Sequence, residues 1–158
     1  MKDVADRAGV GVGTLYRHFE NRQRLVSAVL EFTRAEILAS VEMAVTGCDV
    51  EQAFRGMLRV SAEATHRYGA LRQVALAEHL EMDIEVGRTP FRAIWQDLLA
   101  RALREGFFRS DVDMAVVGAA FQAIFSSGKL SELADTRGAA AAADAFADLF
   151  LRGCRAES

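Results

Sequence analysis

Three groups of residues in this chain have types and spacings that could do chemistry. Residues 9–14 read GVGVGT, three glycines among valines and a threonine, which look like a loop that cradles a phosphate on its backbone N–H groups. His66 and His79 lie near Glu63, Glu78, Glu81 and Asp83, side chains that ligate metals or move protons. Cys48 and Cys154 are the only thiols.

Each group fails a physical requirement of that chemistry. A phosphate loop needs a buried strand leading into the glycines, but the preceding MKDVADRA is charged and sets Val4, Ala5 and Ala8 at helical spacing, so it reads as a short helix. The third glycine of a dinucleotide fingerprint would fall at position 14, which is Thr14, and Gly13 is followed by threonine rather than by the lysine of a Walker loop. Glu78 and His79 are adjacent and point to different faces of a helix, and no pair of ligands has metal-site spacing. The cysteines are far apart with no CxxC, so neither a zinc site nor a disulfide framework is indicated, and both read as reduced thiols. The expectation is a protein that is not an enzyme and carries no metal and no cofactor.

The elements that must position the remaining residues are helices. Half the chain is hydrophobic (51%), proline occurs once at Pro90, and alanine, leucine and arginine dominate, which predicts an all-α fold with a core of useful size. Asn21 can cap a long amphipathic helix through RQRLVSAVLEFTRAEILASVEMAV, on which Leu25, Val29, Phe32, Ile37 and Val41 recur at helical spacing before Gly47. Asp49 with Gln52 forms a capping box for a helix that Gly69 should stop, and a shorter piece, ALRQVALAEHLEMDI, follows before Gly87. Thr89 as cap and Pro90 at the first helical position predict the next helix, closed by Gly106. Ser110 and Asp113 precede a helix through MAVVGAAFQAIFSSG, and the alanine-rich GAAAAADAFADLFLR gives the last one. No charged-then-apolar leader opens the chain and no apolar run reaches the roughly 18 residues of a membrane span, so a cytoplasmic protein without membrane contact is expected.

With a helix ending at Gly9, a tight turn and a second short helix from about Val12 to Phe19, the first residues describe a helix-turn-helix. Residues 1–34 carry six basic and four acidic side chains against 13 basic and 18 acidic in the rest, a basic end on an acidic body although the whole chain has a net charge of -3. The segment VADRAGVGVGTLYRHFENRQRLVSAVL resembles the DNA-binding segment of TetR-family transcriptional regulators: AxxAGV at Ala5 to Val10, GTLYxHF at Gly13 to Phe19 and a capped start at Asn21 fall in register. The resemblance spans about 30 residues.

That resemblance implies a DNA-binding domain over residues 1–34 and a helical effector-binding and dimerisation domain over 35–158. It places Thr14 and Tyr16 where the family holds backbone phosphates, and Arg22 where a phosphate-binding lysine is common. Gly11, Val12, Gly13, Arg17 and His18 occupy or border the base-facing surface, with Arg17 able to pair bidentately with guanine, while Leu15 and Phe19 turn to the core. Gly11 and Val12 stand where members often have serine and lysine, which removes a hydroxyl cap and a charge and leaves Val12 to meet a thymine methyl. Family members also carry a full helix ahead of this unit, so an incomplete N-terminus is expected.

The implied partners are double-stranded DNA with a palindromic operator, a second copy of the chain, and a small-molecule effector. Gly118, Phe121, Phe125, Gly128, Phe146, Leu149 and Phe150 are the candidate dimer interface, small residues allowing close approach and rings supplying apolar area. Phe54, Leu58, Ser61, His66, Leu76, His79, Phe91, Trp95, Phe121 and Gln122 are candidate effector contacts. The implied function is a ligand-responsive repressor released from its operator by a small molecule. The alternative is a helical binding or interaction module of the same origin that does not bind DNA.

Overall fold

A computed structural model describes residues 1–77, 84–126 and 129–156. These form eight helices: α1 (Lys2–Ala8), α2 (Val12–His18), α3 (Arg22–Val45), α4 (Val50–Ala77), α5 (Ile84–Arg104), α6 (Met114–Ser126), α7 (Lys129–Arg137) and α8 (Ala139–Cys154). None of them is long and apolar enough to cross a membrane.

α3 begins where the Asn21 side chain accepts the Arg24 N–H at 2.9 Å, satisfying a backbone donor that the helix itself cannot. Its buried face differs from the expected stripe. Val26, Thr33 and Val41 are buried with Ile37 packed beside them, whereas Val29 and Phe32 face outward, Phe32 at 70% exposure. Five apolar residues at loosely helical spacing are compatible with two neighbouring stripes, and packing against α4 selects one of them. Thr33 stays in the buried stripe because its hydroxyl donates to the Leu30 carbonyl at 3.0 Å.

Gly47, at a φ of 72°, turns the chain between α3 and α4, and the Asp49 carboxylate accepts the Gln52 N–H at 2.8 Å to open α4. The two helices then cross closely at Gly56. A methyl there would stand 3.0 Å from the Ala44 carbonyl oxygen and 3.1 Å from its Cβ, so only the bare backbone fits.

α4 does not stop at Gly69 but runs on to Ala77, with Ala75 buried. An interior glycine costs a helix about 1 kcal/mol relative to alanine, less than the packing of the residues on either side returns. The expected shorter helix after Gly69 is therefore the end of α4, and the remainder of its segment, residues 78–83, lies outside the described residues. α5 likewise starts before the predicted Thr89–Pro90 boundary, at Ile84, with Pro90 inside it and Gly87 within its first turn. Pro90 deletes one N–H near the start of the helix, where little helix lies upstream to be disrupted. α7 is an addition to the helices expected from sequence; among its described side chains Leu130 and Ala134, one turn apart, are buried.

The core has two parts around α4. Phe54, fully buried, meets Trp95 and Phe108 edge-on at 5.3 and 5.4 Å and Phe150 at 6.1 Å. One turn along, Leu58 and Ala62 pack with Leu130, Ala142, Ala143 and Ala147. The alanine run is thus the face that lets α8 lie close on α4.

An ion-pair ladder runs beside that contact. Arg59 holds Asp144 through two bonds of 2.7 and 2.8 Å, Arg55 holds Asp148 at 2.7 Å, and Glu51 meets both Arg55 and Arg155 at 3.0 Å. The Arg59 guanidinium keeps the Asp144 carboxyl below its usual range. A carboxyl whose pKa is lowered on folding contributes stability above its unfolded value and loses the contribution as pH falls through the folded one. Asp144→Asn should therefore be less stable than the parent at neutral pH, with the difference closing below about pH 4, as read by urea midpoints across the range. Gly56→Val should lower stability by about 1 to 3 kcal/mol through the clash with Ala44, measured by the same denaturation.

Candidate nucleic-acid interface

The first 22 residues build a helix-turn-helix around a single backbone device. α1 ends in a left-handed Gly9 (φ 68°, ψ 26°), whose N–H donates to the Asp6 carbonyl at 3.3 Å while the Val10 N–H reaches the Ala5 carbonyl at 3.0 Å. These two bonds are the paired closure of a helix C-terminus that glycine makes available. The chain then extends through Gly11 (φ -67°, ψ 143°) and starts α2, where Thr14 and Leu15 donate to the Gly11 carbonyl at 2.9 and 3.1 Å. Ala5 is fully buried and Leu15 nearly so, which sets the two helices against each other, whereas Ala8 is exposed.

The opposite face of α2 is open. Gly11, Val12, Gly13, Tyr16, Arg17 and His18 are exposed, Thr14 is half-buried, and Arg22 is exposed at the start of α3. Phe19 leaves the helix in an extended conformation (φ -132°, ψ 103°), half-buried beside His18. All eight residues expected to face a nucleic acid lie on the short stretch from Gly11 to Arg22. The absent hydroxyl at Gly11 has a structural counterpart, since α2 has no side-chain cap.

The residues expected to meet an effector divide differently. Phe54, Trp95 and Phe121 form one continuous aromatic group, Phe54 edge-on to Trp95 and Trp95 face to face with Phe121 at 3.8 Å, and Phe91 packs at the edge of the same cluster. Leu58 is buried in the second cluster, and half-buried Ser61 accepts the Thr65 hydroxyl on its carbonyl at 2.9 Å. His66 lies on the surface instead, its Nδ1 3.0 Å from Asp135 of α7. His79 and the side chains of Leu76 and Gln122 lie outside the described residues. Among the described residues no three His, Cys, Asp or Glu side chains gather as a metal site would require.

Of the candidate dimer residues, Leu149 is 74% exposed, but Gly118 faces Trp95, Phe121 stacks on Trp95, and Phe146 and Phe150 lean inward on each other at 5.9 Å. Gly128 and the side chain of Phe125 lie outside the described residues. Sequence reading missed Val116, exposed at 62%, which with Val112, Ala120 and Leu149 lines an open groove of about 430 Å³ between α6 and α8. The one-turn spacing of Val116 and Ala120 on α6 was the available signal.

A left-handed glycine turn between two short helices, with one face of the second left open, defines a helix-turn-helix protein with a helical body. Residues 1–29 match the bacterial regulatory proteins of the tetR family. The chain is similar to the HTH-type transcriptional repressor KstR2 of Rhodococcus jostii, 28% identical over 123 residues covering 72% of this chain and 60% of the relative, and to that of Mycobacterium tuberculosis, 30% identical over 128 residues covering 74% and 62%. It spans roughly three fifths of the length of these curated relatives. Among solved structures it superposes on the ketosteroid transcriptional regulator KstR2 of Mycobacterium tuberculosis with a TM-score of 0.71 at 22% identity, over 99% of this chain and 84% of that one. The TetR family transcriptional regulator PfmR of Thermus thermophilus gives 0.76 at 20% identity, over 96% and 86%. Residues 1–29 thus carry the N-terminal unit of the tetR family, and the chain shares the fold of TetR family transcriptional regulators.

Gly9→Ala forces a side chain into the left-handed region and should cost roughly 1 to 2 kcal/mol, opening the turn between α1 and α2. Faster hydrogen exchange at the Val10 amide, with the body unchanged, is the expected reading.

Proposed function

We propose that the protein is a ligand-responsive transcriptional repressor, released from a palindromic operator when a small molecule binds its body. The observation that carries the reading is the open face of α2, a short helix whose exposed residues include an arginine, a tyrosine and a histidine and whose buried face is held by Leu15. The match of this unit to the family's DNA-binding segment and the repressor names of the relatives support it.

In this reading residues 1–34 read DNA and residues 35–158 bind the effector and pair two copies. Arg17 addresses a guanine edge, Val12, Gly13 and His18 border the bases beside Gly11, and Thr14, Tyr16 and Arg22 hold phosphates. The dimer forms on α6 and α8, where Leu149 supplies the apolar contact and Gly118, Phe121, Phe146 and Phe150 shape the helices from within, with Phe125 and Gly128 further along the same segment. The effector enters among Phe54, Leu58, Phe91, Trp95 and Phe121, near Ser61, and must part rings that pack on one another in its absence.

Mechanism follows from α3, which starts at the reading head and ends in the body. Two recognition helices meet successive major grooves only when set about 34 to 36 Å apart, so a change in the tilt of α3 breaks the match. The effector acts by its higher affinity for the mismatched state.

Selection of bound sequences from random DNA tests the class: a two-fold symmetric site supports it, and no enrichment at low salt rejects it. On the selected site, Arg17→Ala should lose about 1 to 3 kcal/mol of discrimination at one base position. Arg22→Ala should weaken all sequences alike and reduce the salt slope by about 1.

A further inference from the structure

The aromatic group of the core carries one polar handle. Trp95 on α5 is half-buried, its ring face to face with Phe121 of α6 at 3.8 Å and edge-on to Phe54 at 5.3 Å. Among the described residues nothing accepts a hydrogen bond from its indole Nε1–H. A donor at the border of an apolar core normally has a partner, because leaving it unpaired is unfavourable. Beside it stands Gly118 of α6: a methyl group there would touch Nε1 at 3.8 Å, an ordinary contact, so the missing side chain leaves space next to the N–H. Glycine inside a helix is disfavoured relative to alanine, and no clash at this position requires it. The rest of the surroundings carry no charge. Met57, Phe91, Ile94 and Leu98 belong to the same cluster, and among the described residues Thr33, outside it, is the one buried polar side chain. The backbones of α5 and α6 scarcely approach each other among the described residues, so the two rings can part without much else being broken.

We propose that the effector is an uncharged apolar molecule bearing a hydrogen-bond acceptor, a carbonyl compound being the simplest. It lodges between α5 and α6 with its acceptor on the Trp95 indole N–H, in the space left by Gly118. The apolar part takes over the contact that Trp95 and Phe121 now make with each other, and the acceptor pairs the one donor in the cluster. An anion does not fit, because burying a carboxylate among these side chains without a partner costs far more than the N–H bond returns. The inference rests on the reading that the body binds an effector, and it does not depend on DNA.

Acetophenone, ethylbenzene and benzoate test this on the full-length chain, since they share one ring and differ in carrying a carbonyl, a methylene or a charge. Trp95 is the single tryptophan of the chain, so its indole N–H gives one resonance that reports on the site directly. Acetophenone should move that resonance downfield and bind about three- to tenfold more tightly than ethylbenzene, whereas benzoate should leave it in place. Trp95→Phe, which keeps a ring and removes the donor, should bring acetophenone down to the affinity of ethylbenzene. Gly118→Ala should do the same while melting no lower than the parent, which separates a filled site from a damaged fold. Benzoate binding as well as acetophenone, an unshifted indole resonance, a preference for acetophenone that persists in either variant, or no binding of any of the three would overturn the proposal. If acetophenone binds as expected but no operator is selected, or the affinity for a selected operator does not change, the repressor reading fails while the ligand class stands.

Discussion

Phe54 is the contact on which the body of this protein depends. Its ring is fully buried and touches a ring from α5, one from the segment after α5, and one from α8, so a single side chain of α4 sets the distance to three other parts of the chain. Truncating a buried phenylalanine costs about 3 to 5 kcal/mol, a large share of the stability of a domain this size. Phe108 adds to the arrangement because its neighbours clamp the end of the chain: Arg109 donates to the Cys154 carbonyl at 2.9 Å, and Ala156 to that of Phe107 at 3.0 Å. The last residues of α8 are thereby held against the loop between α5 and α6.

The two ends of the molecule are built on different physics. The body is held by rings and by alanines that let α8 approach α4, with ion pairs along the margin where water still reaches them. The helix-turn-helix has little to bury: Ala5 and Leu15 are its enclosed apolar side chains, and Val4, Val10, Val12 and Tyr16 are exposed. Its shape comes instead from backbone hydrogen bonds closing around Gly9. A glycine turn fixes the angle between two helices without needing a core.

α3 joins these regimes. Near its middle, Glu36 accepts from the Tyr68 hydroxyl at 2.9 Å and lies 3.7 Å from Arg67, both on α4. At its end, Ala44 lies against Gly56, and the turn beyond it bonds to Arg101. The outward face carries Phe32 and Met43, each at 70% exposure or more. α3 is thus gripped along one side and at its C-terminal end.

The sequence by itself determined the elements whose ends are local chemistry. Gly9, Asn21, Asp49, Gly106 and Asp113 act within a few residues of themselves, and each marks a boundary where its side chain or its missing Cβ requires one. The helix-turn-helix was legible for the same reason, since its geometry is a short-range matter of one turn and two short helices. What only the tertiary structure decided depends on distant partners: which stripe of α3 is buried, the passage of α4 through Gly69 and of α5 through Pro90, the formation of α7, and the inward turn of Phe121 and Phe150. In each, packing between segments far apart in the chain outweighs a local preference of about 1 to 3 kcal/mol. Arg101 lies furthest from the reach of sequence, because a bond to a carbonyl 53 residues away leaves no trace in residue type or spacing.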